Sequence, residues 1–88
     1  MPILSVFFGI VIRMWHDDHP PPHIHVEYQG FEALVEISTG LVKEGRLPRK
    51  VAAIVKDWCL EHQPELMDNW TKAQNFEPLE RIRGADYD

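Results

Sequence analysis

His23–Tyr28 (HIHVEY), Gln29-Gly30 and Phe31–Ser38 (FEALVEIS) decide the fold. Both runs alternate polar and apolar residues with period two, as strands with one buried face do. Two residues ending in glycine separate them, the spacing of a tight antiparallel hairpin. In the first strand Ile24, Val26 and Tyr28 share one face, while His23, His25 and Glu27 share the other. If the apolar set meets a core, both histidines look outwards from the same side.

Upstream, Ser5–Trp15 (SVFFGIVIRMW) is rich in β-branched and aromatic residues and predicts one strand buried on much of both faces. Gly9 within it marks a bulge or a close backbone approach, and Phe7, Phe8 and Phe31 read as core. Pro20, Pro21 and Pro22 exclude a helix or central strand, so HDDHPPPH is a loop. Downstream, Leu41–Gly45 is a fourth short strand or a wide turn. Leu47-Pro48 opens a helix over about 48–62 in which Val51, Ile54, Val55, Trp58 and His62 recur at helical spacing. Pro64 breaks that pattern and opens a second helix, carrying Leu66, Met67, Trp70 and Ala73, to about residue 74. The expected architecture is α+β: a single domain, 1–88, with a small antiparallel sheet of three to four strands over about 3–45. Two helices over about 48–75 follow and pack on one face, and a weakly ordered tail, 78–88, closes the chain.

With 88 residues the chain has room for one core and none for a separate substrate domain. A chain this short buries only about 60% of its unfolded surface, so a metal or an obligate partner is a natural source of added stability. The single Cys59 has no internal disulfide partner and reads as a buried thiol in a helix. Arg13 interrupts the apolar N-terminal run well short of a membrane span, and no signal-peptide pattern precedes it. A cytoplasmic protein is expected. Nine Lys plus Arg against fourteen Asp plus Glu give a charge of −5, which opposes nucleic-acid binding by net charge alone. Lys43, Arg46, Arg49, Lys50 and Lys56 nevertheless gather five of the nine cations in mid-chain, as a basic patch or as a solvated helix start.

The chemistry concentrates in His16, Asp17, Asp18, His19, His23 and His25, which hold four of the five histidines within ten residues. Two imidazoles sent to one side of a strand, with a loop carboxylate, make the three-ligand set of a catalytic metal site, here from His19, His23, His25 and Asp18. Paired cysteines, the mark of a structural zinc site, are absent. A second reading needs no metal: histidine titrates near neutrality and serves as acid or base, as in RNA cleavage by its own 2′-hydroxyl. His23, His25 and His19 are then the candidate proton carriers and Arg13 the anion stabiliser, with Lys43, Arg46 and Arg49 as other available cations. The bland alternative gives Asp17 and Asp18 turn hydrogen bonds and the histidines to solvent. Trp58 and Trp70 lie on apolar helix faces and belong to the core, whereas Trp15 closes a strand beside the histidine loop and stays open as a candidate pocket wall.

FFGIVIRMWHDDHPPPHIHVEY, then GRLPRKV, AAIVKDW and ELMDNW, resemble the bacterial domain of unknown function 4160 family over about residues 1–75. Gly9, Arg13, Asp17, Asp18, His19, Pro20, Pro21, Pro22, His23 and His25 carry the likeness, and His16 is the weakest member of the constellation. The resemblance implies the DhiT-like toxin of a two-gene type II toxin-antitoxin pair, with a small DUF2442-type protein as partner. It implies neither a target nor a role for any single residue. Three functions stay open: a toxin-like effector, with RNA as the substrate to test; a non-catalytic protein-binding module displaying the rigid histidine loop; and a small metal-binding domain. No organic cofactor is called for, and a divalent metal is the one cofactor these residue types admit.

Overall fold

The computed structural model of the chain describes residues 2–86. Five strands, β1 (Ile3–Phe7), β2 (Ile10–Arg13), β3 (His23–Tyr28), β4 (Phe31–Glu36) and β5 (Val42–Gly45), form one antiparallel meander in chain order. Helices α1 (Arg49–Glu61) and α2 (Gln63–Gln74) follow, with only His62 between them. The α+β order matches expectation, but five strands stand where three or four were expected. Gly9 is the reason: with Phe8 at φ 52° and Gly9 at 75°, these two residues make a tight turn that folds the apolar run Ser5–Trp15 into a hairpin. Gln29-Gly30 does the same between β3 and β4, at φ 44° and 86°. Phe8, on the outside of its turn, is exposed and Phe31 half-buried, so of the three phenylalanines expected in the core only Phe7 is fully inside.

Alternate residues of the strands meet the helices. Ile10 and Ile12 of β2, Ile24 and Val26 of β3 and Val35 of β4 pack with Val55, Trp58 and Cys59 of α1 and with Leu66 and Ala73 of α2. In β1 the register shifts between Ile3 and Ser5, and this irregularity lets Leu4 join Phe7 in the core. Trp58 and Trp70 are buried, as their helical spacing predicts, and Trp58 Nε1 donates to the Arg83 carbonyl at 2.7 Å. Residues 78–86 hold no helix or strand, yet they are tied to the body. Ile82 is buried and its N–H donates to the Leu4 carbonyl at 2.8 Å, while Asn69 exchanges two side-chain hydrogen bonds with the Glu80 backbone. The last two residues of the expected tail, 87 and 88, lie outside the described residues. Among the described residues no helix is long and apolar enough to cross a membrane.

Candidate functional site

The loop from β2 to β3 crosses the end of the sheet and brings Asp18 back over the outer face of β3. Two contacts from the C-terminal end of α2 hold it there. The Asp17 N–H donates to the Ala73 carbonyl at 3.2 Å, and the Gln74 side-chain amide donates to the Asp18 carbonyl at 3.0 Å. The first gives the Ala73 carbonyl at the helix end a second donor beside the Phe76 N–H, which reaches it at 3.2 Å. Asp17 adopts φ 55°, a backbone state that aspartate tolerates better than most residues.

Asp18 then meets both histidines of β3. Its Oδ2 lies 2.8 Å from Nε2 of His23 and 2.9 Å from Nε2 of His25, while its Oδ1 accepts the backbone N–H of His19 at 2.9 Å. The other ring nitrogen of His23 is committed: Nδ1–H donates to the Pro21 carbonyl at 2.8 Å. His23 also packs on Trp70, ring centroids 5.4 Å apart, and His25 sits edge-on to Trp15 at 5.8 Å. Period two set the histidines on one side, and they are on one side, but not equally open. His25 is half-buried, whereas Pro21 and Trp70 close over His23 and leave it 8% exposed.

Burial pushes the Asp18 carboxyl up, but hydrogen bonds from His25 and from the His19 N–H, with the electrostatic pull of His23, outweigh it and hold the group below its ordinary value. The carboxylate is therefore ionised at neutral pH. Asp18, His23 and His25 each offer one ligand atom, and the three atoms lie within 4.8 Å of one another. They share a cleft of about 310 Å³ with Pro21, Leu34 and Lys43.

His19 lines the same cleft but is exposed, and only its backbone joins the cluster. Arg13 is paired in register with His25 and gives its Nε–H to Glu27 at 3.0 Å, so its cation stands beside the cluster already partnered. His16 leaves the constellation, for it stacks on Phe76 and its Nε2 meets the Glu77 carbonyl at 3.0 Å. Lys43 pairs with Glu36 at 3.7 Å, and Arg46 just after β5 and Arg49, Lys50 and Lys56 on α1 are exposed. Gln74, Ala73, Trp70 and the Pro21 carbonyl build the site without having been marked as site residues. Gln74 carried a faint signal, as a polar residue on a helix whose neighbour Ala73 is core.

The model of the family described as "Domain of unknown function (DUF4160)" matches residues 9–71, a span that holds Asp18, His23, His25 and Arg13. Among curated proteins and among solved structures nothing matches the chain.

Proposed function

We propose a function from the premise that this chain belongs to the domain-of-unknown-function family DUF4160: it is a toxin-like effector of the type II kind, and Asp18, His23 and His25 are its working centre. In this reading it acts in the bacterial cytoplasm and is restrained by a small DUF2442-type protein partner. The observation that carries the centre is the convergence of both imidazoles on one carboxylate oxygen, at 2.8 and 2.9 Å, beside an open cleft. A packed surface cluster needs no such convergence, and a proton-handling or ion-holding site does.

The reaction this centre suits is cleavage of RNA. The 2′-hydroxyl proton passes to the centre, the 2′-oxygen bonds to phosphorus, and the bond from phosphorus to the 5′-oxygen breaks. That oxygen takes up a proton, which leaves a 2′,3′-cyclic phosphate and a 5′-hydroxyl. Arg13, next to His25 across the β2–β3 ladder, gives its Nε–H to Glu27, and the rest of its guanidinium is the positive charge this reading assigns to the phosphorane. No organic cofactor is required, and a divalent metal ion fits the donor set.

The test is incubation of tag-free protein with mixed-sequence RNA, with added divalent metal or with chelator, beside the His23→Ala/His25→Ala double variant. Cleavage by wild type alone, ending in cyclic phosphate, is expected; intact RNA under every condition removes the nuclease reading. A second reading, a binding module, is favoured by the neighbouring cleft. Glu27, Glu32 and Glu44 line it together with Trp15, a surface that repels a polyanion and suits a cationic protein segment. That reading gains if alanine at the histidines weakens partner binding and leaves growth inhibition intact.

A further inference from the structure

We infer that the Asp18–His23–His25 cluster is a mononuclear site for a divalent transition-metal ion of the zinc, cobalt or iron(II) class, with its remaining coordination positions open to the cleft. This deepens the working-centre reading and rests on it only for the location, since ion binding is measured without RNA.

Hydrogen-bond bookkeeping at His23 carries the inference. A carbonyl oxygen only accepts, so the 2.8 Å contact with Pro21 fixes the proton on Nδ1. Nε2 of that tautomer holds a lone pair and aims it at Asp18 Oδ2, itself an acceptor, 2.8 Å away. Two lone pairs do not rest at that distance without positive charge between them. His25 Nε2 reaches the same oxygen at 2.9 Å, and the three ligand atoms lie within 4.8 Å of one another, close enough for one ion to take the place of the protons in both contacts. A proton on His23 Nε2 is the rival occupant.

Three further features separate an ion site from a proton. A ring whose far nitrogen is locked by a backbone carbonyl is the usual arrangement of a metal-bound histidine, because it fixes tautomer and orientation. Metal–ligand bonds of about 2.0–2.2 Å place neighbouring donors about 2.9–3.4 Å apart, so the 2.8 and 2.9 Å contacts need to open by only a few tenths of an ångström, while the two imidazole nitrogens, within 4.8 Å of each other, settle into the same range. The protein walls one side, with His23 against Trp70, and leaves the other to a cleft of about 310 Å³, so water or substrate completes the shell. Two imidazole nitrogens and one carboxylate oxygen suit borderline ions and give magnesium and calcium, which seek oxygen, little advantage. Asp18 is presented for this use. Its Oδ1 is held by the His19 N–H and its backbone by Gln74, which leaves Oδ2 as a single, aimed ligand atom.

The full chain, tag-free and stripped with chelator, is titrated with zinc, cobalt, magnesium and calcium by calorimetry and thermal melting, with the visible spectrum of the cobalt form. One zinc or cobalt ion per chain is expected to bind, with a raised melting temperature and a cobalt spectrum of low-symmetry nitrogen–oxygen coordination. Magnesium and calcium bind far more weakly. His25→Ala and Asp18→Asn weaken zinc binding at least about tenfold while keeping a native fold by circular dichroism. His62→Ala, which removes a histidine bonded to Glu65 on the helices, leaves it unchanged. Absence of saturable zinc or cobalt binding by wild type overturns the site and hands the contact to the proton. So does binding that survives both His25→Ala and Asp18→Asn. Binding without RNA cleavage sustains the metal site and removes only the nuclease reading.

Discussion

On β3, Ile24 and Val26 point at the helices and are fully buried, whereas His25 and Glu27, each one residue further on, are half-exposed on the opposite face. One strand thus carries two surfaces under different physical rules. On the inner face, shape and apolar area decide, and a lost side chain leaves a cavity. On the outer face, donor and acceptor placement decides: Asp18 against His23 and His25, and Arg13 against Glu27. From Ile24 to Glu27 stability and chemistry are therefore separable by residue parity, while His23 at the start of the strand is buried against Trp70 and serves both, and substitutions can break or sharpen that separation.

The largest effect is expected deep on the inner side. Trp58 is 1% exposed, packs on Phe7 with ring centroids 5.1 Å apart and hydrogen-bonds the Arg83 carbonyl. Trp58→Ala should cost about 3–5 kcal/mol in urea unfolding, a large share of the stability of so small a chain. A cost below about 1 kcal/mol would mean that the inner face is not the structural one.

Next comes the buried thiol beside it. Burial pushes Cys59 up to about 11 from the 9.0 of a free thiol, and its Sγ–H donates to the Ile37 carbonyl at 3.6 Å. The protonated form is favoured in the fold, so this contribution is complete below pH 9 and is lost as pH rises from about 9 through 11. The loss is on the order of 2–3 kcal/mol. The stability of Cys59→Ala should fall less steeply over that window. At pH 8 wild type should resist iodoacetamide until it is unfolded. Fast labelling of the native protein would place the thiol outside the core.

A smaller effect is expected at the turn that sets the register of β1 against β2, and so decides which of their residues meet the helices. Gly9 has φ 75°, and a Cβ there would meet only Tyr28 at 3.9 Å, so Gly9→Ala tests backbone strain alone. A loss of about 1–2 kcal/mol is expected, read by urea titration with the faces unchanged. The two turns also show what the sequence made legible. Gln29-Gly30 stood out because a polar residue and a glycine interrupt an otherwise alternating pattern. Phe8-Gly9 has the same geometry but lies among Phe7, Ile10 and Val11, where apolar residues on both sides erase the period-two contrast.

The site divides in the same way. Alternation alone put His23 and His25 on one side, since strand geometry is local. Asp18 was in view as a ligand type, but its position depends on Gln74, 56 residues away in sequence, on Ala73 and on the Pro21 carbonyl. No local pattern encodes that closure. His19, equally eligible by residue type, contributes its N–H rather than its ring, a choice made by the loop's path. In the tail, the weak pattern hid Ile82, whose single apolar side chain reaches the core without any periodic neighbour.

The smallest stability effect should accompany the largest chemical one. His25 is half-buried, its ring edge-on to Trp15, 5.2 Å from the His23 ring and bonded to Asp18. His25→Ala should change unfolding free energy in metal-free buffer by about 1 kcal/mol or less, because a half-exposed hydrogen bond is replaced by water. The same preparation should lose zinc binding and any RNA cleavage, so urea titration and calorimetry on one sample read both halves of the comparison. If His25→Ala instead unfolds as readily as Trp58→Ala, the outer face belongs to the scaffold and parity does not separate the two roles. If stability and zinc binding both survive, the outer face is inert at this position and the centre must be sought among other ligands. Retained stability with lost binding is the one result in which alternate residues of a six-residue strand divide the fold from the chemistry.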